Sequence, residues 1–170
     1  MSQENQLLEV WMRGPVDGVP PLLQPVAHVL LQVAEDARKY TEHLAPNLLW
    51  ERPNHVASIG FHLRHIVGVI DRLFTYALEQ PLSEQQFTYL REEGAINTEL
   101  TTMELLDALD RKVAEALEQL KQTPENELTA IRYLGRKRIP TTLIGLLFHA
   151  AEHAQRHLGQ LLVTTRVLQP

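Results

Sequence analysis

Apolar positions along this chain recur at steps of three and four residues, the spacing of one helix face, in four long segments. The first opens near Pro20 or Pro21, where the missing proline N–H costs nothing, and should run to about Leu44. Pro46 and Pro53 bracket a break, after which Asn54 or Ser58 can cap a second helix from about His55 to Glu79. Its core stripe is Ile59, Leu63, Ile66, Ile70 and Leu73. Pro81 ends it, and Ser83 with Gln86 could cap a short helical turn within the connection 81–100. Thr101 and Glu104 make a capping-box pattern for the third helix, which carries leucines at 105, 106, 109, 117 and 120 and stops before Pro124. A second connection covers 124–139. Pro140-Thr141-Thr142 then opens the last helix, expected to reach about Val167. No segment reads as a strand, a repeat or a low-complexity tract.

This pattern predicts an all-α four-helix bundle. The connection 81–100 has consequences for its topology, because a short loop makes consecutive helices antiparallel, whereas a long one can cross the bundle and leave them parallel. Residues 19–170 are expected to form a single domain. Residues 1–18, with Gly14, Pro15 and Gly18 and no sustained period, read as an irregular lead-in from which Trp11 and Met12 pack onto the body.

Composition narrows the function. A chain of 170 residues with 44% hydrophobic content can bury one continuous core. A net charge of -5 argues against a nucleic-acid partner, which requires a concentrated positive field. The absence of cysteine removes disulfides, thiolate ligands and a cysteine nucleophile, so any thiol chemistry must borrow its thiol. Met1 to Val10 is polar and acidic, unlike a secretory signal. The longest apolar run, Leu143 to Phe148, is far short of the roughly 18 residues of a membrane span. A soluble cytoplasmic protein with a small-molecule or protein partner is expected.

Eight histidines are present, and five fall in two helical windows: His62 and His65 on the second helix, His149, His153 and His157 on the last. Residues i and i+4 lie one above the other on a helix, so two imidazoles at that spacing can converge on one ion. His149 and His157 are about 12 Å apart along the axis, too far to share an ion, so His153 with one neighbour forms the pair. A third ligand should come from the second helix, where His62 falls inside the edge of the core stripe and His65 just outside; geometry leaves both open. Taken singly, each of these histidines reads as a core-flank or surface residue. Clustered in a bundle they favour a metal, because buried imidazoles without partners are costly and one ion satisfies them together.

Other features carry less. His149-Ala-Ala-Glu152-His153 matches H-x-x-E-H, but such peptidases need a further downstream ligand, and no acidic residue follows His153; Glu152 reads as a solvated helix-surface acid. Arg132, Arg136, Lys137 and Arg138 form a basic cluster that could take an anionic substrate or belong to a solvated loop, roughly 22 Å from His153. Arg72 and Tyr76 share the flank of His65 and could line a pocket, although packing and solvation explain them too, while Asp71 points away. None is assigned a catalytic part.

Ser58-Ile-Gly-Phe-His-Leu-Arg-His65-Ile, followed far downstream by His153-Ala-Gln-Arg-His157-Leu-Gly-Gln160, resembles the DinB-like superfamily of four-helix metalloproteins, over roughly residues 20 to 168. In that family a ligand histidine sits seven residues after a Ser or Thr, matching Ser58 and His65. Two further ligands sit four apart before a Gly-Gln pair, matching His153 and His157 before Gly159-Gln160. The resemblance thus implies His65, His153 and His157 as metal ligands. It also implies an up-down-down-up bundle, in keeping with the long connection after the second helix. Arg156 departs from a position where the family often has another histidine.

Three neutral imidazoles would leave an ion's charge uncancelled and a coordination position open, the pattern of a catalytic site. Zinc, nickel, iron and manganese all accept this ligand set. Some relatives are thiol transferases that join a low-molecular-weight thiol to an electrophile and others look like hydrolases, so the resemblance implies a metal-dependent enzyme with a small-molecule substrate. The alternatives are a non-enzymatic metal-binding or stress-associated interaction protein, and a metal-free assembly module. A homodimer is expected through apolar surface that the bundle leaves exposed.

Overall fold

The computed structural model describes residues 8–169, so the start of the lead-in, residues 1–7, lies outside the described residues. Five α-helices and one hairpin follow in the order α1 (Gln24–Thr41), α2 (Ile59–Ala77), α3 (Glu84–Glu92), α4 (Thr102–Gln122), β1 (Ile131–Leu134), β2 (Ile139–Thr142) and α5 (Leu143–Leu168). The four long helices are those expected from the periodicity, with shifted ends. A short 3-10 turn at Pro21–Leu23 precedes α1. The start of α2 is capped by Ser58, whose hydroxyl accepts from the Phe61 N–H, while Asn54 and His55 take left-handed φ values of 49° and 65° in the turn before it. Both predicted capping boxes form, Ser83 with Gln86 and Thr101 with Glu104, and the first opens a nine-residue helix rather than a single turn.

Polar contacts between helices give the bundle's direction. Arg38 of α1 meets Asp107 of α4 while the Leu22 N–H, at the other end, donates to Glu125, so α1 and α4 are antiparallel. Lys112 pairs with Asp71 and Gln119 donates to the Phe74 carbonyl, so α2 and α4 are parallel. His62 lies beside His157 and His65 beside His153, so α2 and α5 are antiparallel. The result is the up-down-down-up order, with α1 packed between α4 and α5 and α2 diagonal to it. The exposed pairs among these contacts are worth under about 1 kcal/mol each. The apolar interior supplies the stability: Leu30, Leu63, Ile66, Leu106, Leu109 and Leu147 are all fully buried.

Three expectations need correction. The segment 124–142 contains an antiparallel hairpin where no strand was expected, pairing Ile131 with Thr142 and Leu134 with Ile139. Its strands have four residues each and the second contains Pro140, too little for a period of two to register. Pro140 and Thr141 therefore belong to β2, and Thr142 caps α5 by accepting from the Gly145 N–H. In the lead-in, Val10 is buried and its N–H donates to Gln32, whereas Trp11 and Met12 stay exposed. Arg132 is not a loop cation: it is buried, and its Nε–H donates to the Ala77 carbonyl, tying the hairpin to the end of α2.

Candidate metal centre

Antiparallel packing of α2 on α5 places the histidines of the two helices opposite each other. The ring of His65 lies 4.3 Å from that of His157 and 5.3 Å from that of His153, and His153 and His157 are 4.7 Å apart, centre to centre. One nitrogen from each of His65, His153 and His157 falls within 4.8 Å of the other two. His65 Nε2 and His153 Nε2 are separated by 3.0 Å, close to the roughly 3.3 Å expected of two nitrogens on one tetrahedral ion at about 2 Å. The periodicity was informative about depth: His62, inside the stripe, is almost fully buried, and His65, just outside, is half-buried.

Each side of the cluster has a supporting partner. His65 Nδ1–H donates to Glu93 Oε1 at 2.7 Å, and because an ionised carboxylate only accepts, this bond fixes the tautomer and leaves His65 Nε2 facing the cluster. Burial pushes the Glu93 carboxyl up, but the hydrogen bonds from His65 and Arg72 outweigh it and hold the group below the ordinary carboxylate value. Arg72 Nη1 donates to the second oxygen, Oε2, at 2.9 Å. On the other side His62 Nδ1 and His157 Nδ1 share a hydrogen bond of 3.0 Å, which leaves His157 Nε2 unclaimed by it. Phe61 lies parallel to the His65 ring at 5.2 Å and closes one face.

Two observations show that these residues fit a metal. His153 and His157 are held below the ordinary imidazole value, chiefly by burial and then by neighbouring histidines, with His157 at about 4; both are neutral at pH 7, as ligation requires. His153 Nδ1 is buried with no hydrogen-bond partner among the described residues, an under-satisfied nitrogen in a polar cluster. The unpartnered nitrogen points to a site completed by something that the chain does not supply.

His149 lies outside the trio of His65, His153 and His157 but forms a second group with Glu152 and His153, whose ligand atoms also fall within 4.8 Å of one another. Its Nδ1 contacts Glu152, whose carboxylate also accepts from Arg156 on the helix surface. Glu152 is thus a surface acid satisfied by its helix neighbours. Of the two residues that share the flank of His65, Arg72 reaches Glu93, while Tyr76 lines a separate cavity nearer the hairpin.

Glu93 was not foreseen. It follows α3 in the long connection, where sequence alone does not separate it from Glu92. One signal was present: the Ser83–Gln86 capping box fixes the start of α3, and at a period of 3.6 this puts Gln86, Tyr89 and Glu93 on one face. Gln86 donates to Asp71 and Thr75, and Tyr89 to the Arg64 carbonyl, so that face does turn to α2.

Comparison with known proteins bears on the whole arrangement. The family model of the DinB superfamily matches residues 29–161. A DinB-like protein from Bacillus cereus, known from a crystal structure, is similar with a TM-score of 0.60 and 22% identity, over 82% of this chain and 90% of that one. YfiT from Bacillus subtilis, described as a probable metal-dependent hydrolase with an unusual four-helix bundle topology, is similar with a TM-score of 0.63 and 14% identity, over 91% of this chain and 93% of its own. Among curated proteins there is no match. At these identities the two structures speak for the fold.

Proposed function

The chain belongs to the DinB superfamily, and on that premise we propose that it is a metal-dependent enzyme whose ligands are His65, His153 and His157. The observation that carries the reading is the convergence of three imidazole nitrogens within 4.8 Å from two antiparallel helices, two of them on rings kept neutral. The ion would be zinc, nickel, iron or manganese.

A divalent ion on three neutral imidazoles keeps its charge and an open position, and lowers the pKa of a water or thiol placed there. The chain's own residues prepare this. Glu93 holds the His65 Nδ1 proton and so presents Nε2 as a lone pair. Arg72 pins Glu93 from the far side, and His62 sets the plane of His157. Phe61 stacks against one face of His65 and limits how that ring can turn.

Hydrolysis is the reaction class we put first, because YfiT shares the fold and is described as a probable metal-dependent hydrolase. Transfer of a low-molecular-weight thiol to an electrophile is the second, supported by the absence of cysteine, so that a thiol would enter as a small-molecule substrate. We also propose a homodimer, supported by the exposed Phe148, Val163 and Val167 on the outward side of α5, with light scattering as its test. Among the described residues no helix is long and apolar enough to cross a membrane.

The test uses protein purified without a histidine tag. Elemental analysis should find about one transition-metal ion per chain, lost in His153→Ala. Wild-type protein that neither carries nor takes up zinc, nickel, iron or manganese would refute the metal reading. For the loaded protein, turnover of ester and amide substrates, or of a thiol with chlorodinitrobenzene, supports an enzyme. Metal binding with no turnover in either assay favours a non-enzymatic metal-binding protein.

A further inference from the structure

A second candidate site lies at the other end of α2. Tyr76 is eleven residues beyond His65, about 16 Å along the helix, and lines a cavity of about 500 Å³ between the end of α2, the start of α3 and the hairpin turn. That volume is in the range of small-molecule sites. Three aromatic rings, Tyr76, Phe87 and Tyr133, form its walls together with Arg136 and Arg138. Arg136 stacks over Phe87 at 4.9 Å and Arg138 over Tyr133 at 4.1 Å. Stacking uses the flat face of a guanidinium and leaves its N–H edges free to donate.

The charge balance of the cavity favours an anion. Neither Arg136 nor Arg138 pairs with a carboxylate among the described residues, although the chain as a whole carries a net charge of -5. The lining holds one acidic residue, Glu79, which is largely exposed and 3.8 Å from an Arg132 shared with Glu127, so two arginines stand against one carboxylate in the cavity itself. The backbone is also unusual here. Glu79 and Arg138 both line the cavity with left-handed φ values, 59° and 48°, which residues other than glycine adopt uncommonly and at a cost. Buried Arg132, through the Ala77 carbonyl, holds the hairpin against the end of α2, and the cavity lies between these elements.

We infer that this cavity binds a small aromatic anion, with its flat ring among Tyr76, Phe87 and Tyr133 and its carboxylate or phosphate on Arg136 and Arg138. Planar guanidinium groups hold carboxylate and phosphate in the same bidentate way, so the two head groups are one chemistry here. The site does not depend on the metal reading, since no histidine takes part in it.

Amide-resonance NMR and calorimetry at low salt, with naphthoate and phenyl phosphate as probes and naphthylmethanol as the neutral control, test this directly. The expected result is saturable binding of at least one of the two anions with Kd below about 1 mM, shifts centred on Tyr76 to Leu82 and Tyr133 to Arg138, and binding of the neutral ring at least about tenfold weaker. Arg136→Gln with Arg138→Gln should lose about tenfold or more, and His153→Ala nothing. Phe87→Leu, which keeps apolar bulk and removes the ring under Arg136, should weaken binding several-fold and decides the matter if the double variant does not fold. No saturable binding of either anion, binding unchanged in these variants, equal binding of the neutral ring, or shifts centred on His65 and His153 would each overturn the proposal.

Discussion

Glu93→Gln tests the support behind His65 with little change in shape. Glutamate offers two acceptor oxygens, one used by His65 Nδ1–H at 2.7 Å and the other by Arg72 Nη1 at 2.9 Å. Glutamine offers one acceptor and one donor, so whichever way the amide turns, His65 or Arg72 meets an N–H. The three side chains are 7%, 18% and 11% exposed for Glu93, His65 and Arg72, so water compensates only in part. A charge-assisted hydrogen bond is worth about 1.5–3 kcal/mol, and stranding a fully buried charge costs about 3–5 kcal/mol; the slight exposure of Arg72 puts the loss near 2–3 kcal/mol. For a chain of this size that is a fall in Tm of about 4–12 °C in EDTA, read by calorimetry. Zinc affinity of the metal-free protein should fall about 10–100-fold, the usual cost of removing a carboxylate behind a ligand histidine. Glu92→Gln, at the exposed neighbouring position, is the control and should change neither quantity. A Glu93→Gln protein that melts with the wild type and binds zinc as tightly would refute both the energetic reasoning and the orienting role of Glu93.

Acidification offers an independent check on the buried histidines. Burial first, and the charge of His65 second, lower His62 to about 4, against an ordinary value of 6.5. With the folded value depressed, the unfolded chain takes up the proton first; stability is full above pH 6.5 and is lost as pH falls towards 4, by about 3 kcal/mol from His62 alone. Urea unfolding of the metal-free protein across that window should show the loss, and His62→Gln should make it shallower without abolishing it, because His153 and His157 are depressed too; an unchanged slope in the variant sinks the assignment. Gly68→Ala presses on the same support from the helix side, since the added methyl would stand 2.6 Å from both Arg72 Nη1 and Glu93 Oε2 and 2.9 Å from the ring of Tyr89. The Tyr89 ring cannot give as a flexible chain end does and the Arg72–Glu93 pair must shift, so the variant should lose about 1–3 kcal/mol in urea unfolding and about tenfold in zinc binding. Gly60→Ala meets the rigid ring of Trp50 at 2.7 Å and should cost about 1–3 kcal/mol in urea unfolding with little effect on zinc.

Helices declare themselves where a one-sided core imposes a period, and α1, α2, α4 and α5 all have one. In α2 the stripe from Ile59 to Leu73 is buried at each of its five positions, and even the difference in depth between His62 and His65 follows the wheel. The choice of His65 and His157 was not available from the wheel, because it depends on how far α2 and α5 slide past each other, and that is set by the sum of core contacts along both helices. What stayed hidden was local or cross-chain. The hairpin is too short for a pattern, and the carboxylate of Glu93 gains meaning only when a residue 28 positions earlier in the chain comes within 2.7 Å of it. Arg132 reads from sequence as one more cation in a basic run, yet it is the member that folding buries.

The long connection after α2 links the topology to the site. For α4 to run parallel to α2, the chain must travel back along the whole length of α2 before descending again. The first part of that return is α3, which is antiparallel to α2: Gln86 sits by Asp71 and Thr75, Tyr89 by Arg64, and Glu93 by His65 and Arg72. Nine helical residues cover about 13 Å, so α3 brings the chain level with the histidines, where Arg64 Nη1 donates to the Ala95 carbonyl and holds it. In a bundle with a tight turn after α2 no backbone would pass behind His65, and its Nδ1 would face solvent. The same residues that return the chain to the top of the bundle therefore supply the acceptor that orients His65. This explains why the acceptor for His65 lies in the connection between helices, while His62 and Arg72 of α2 supply the rest of the support.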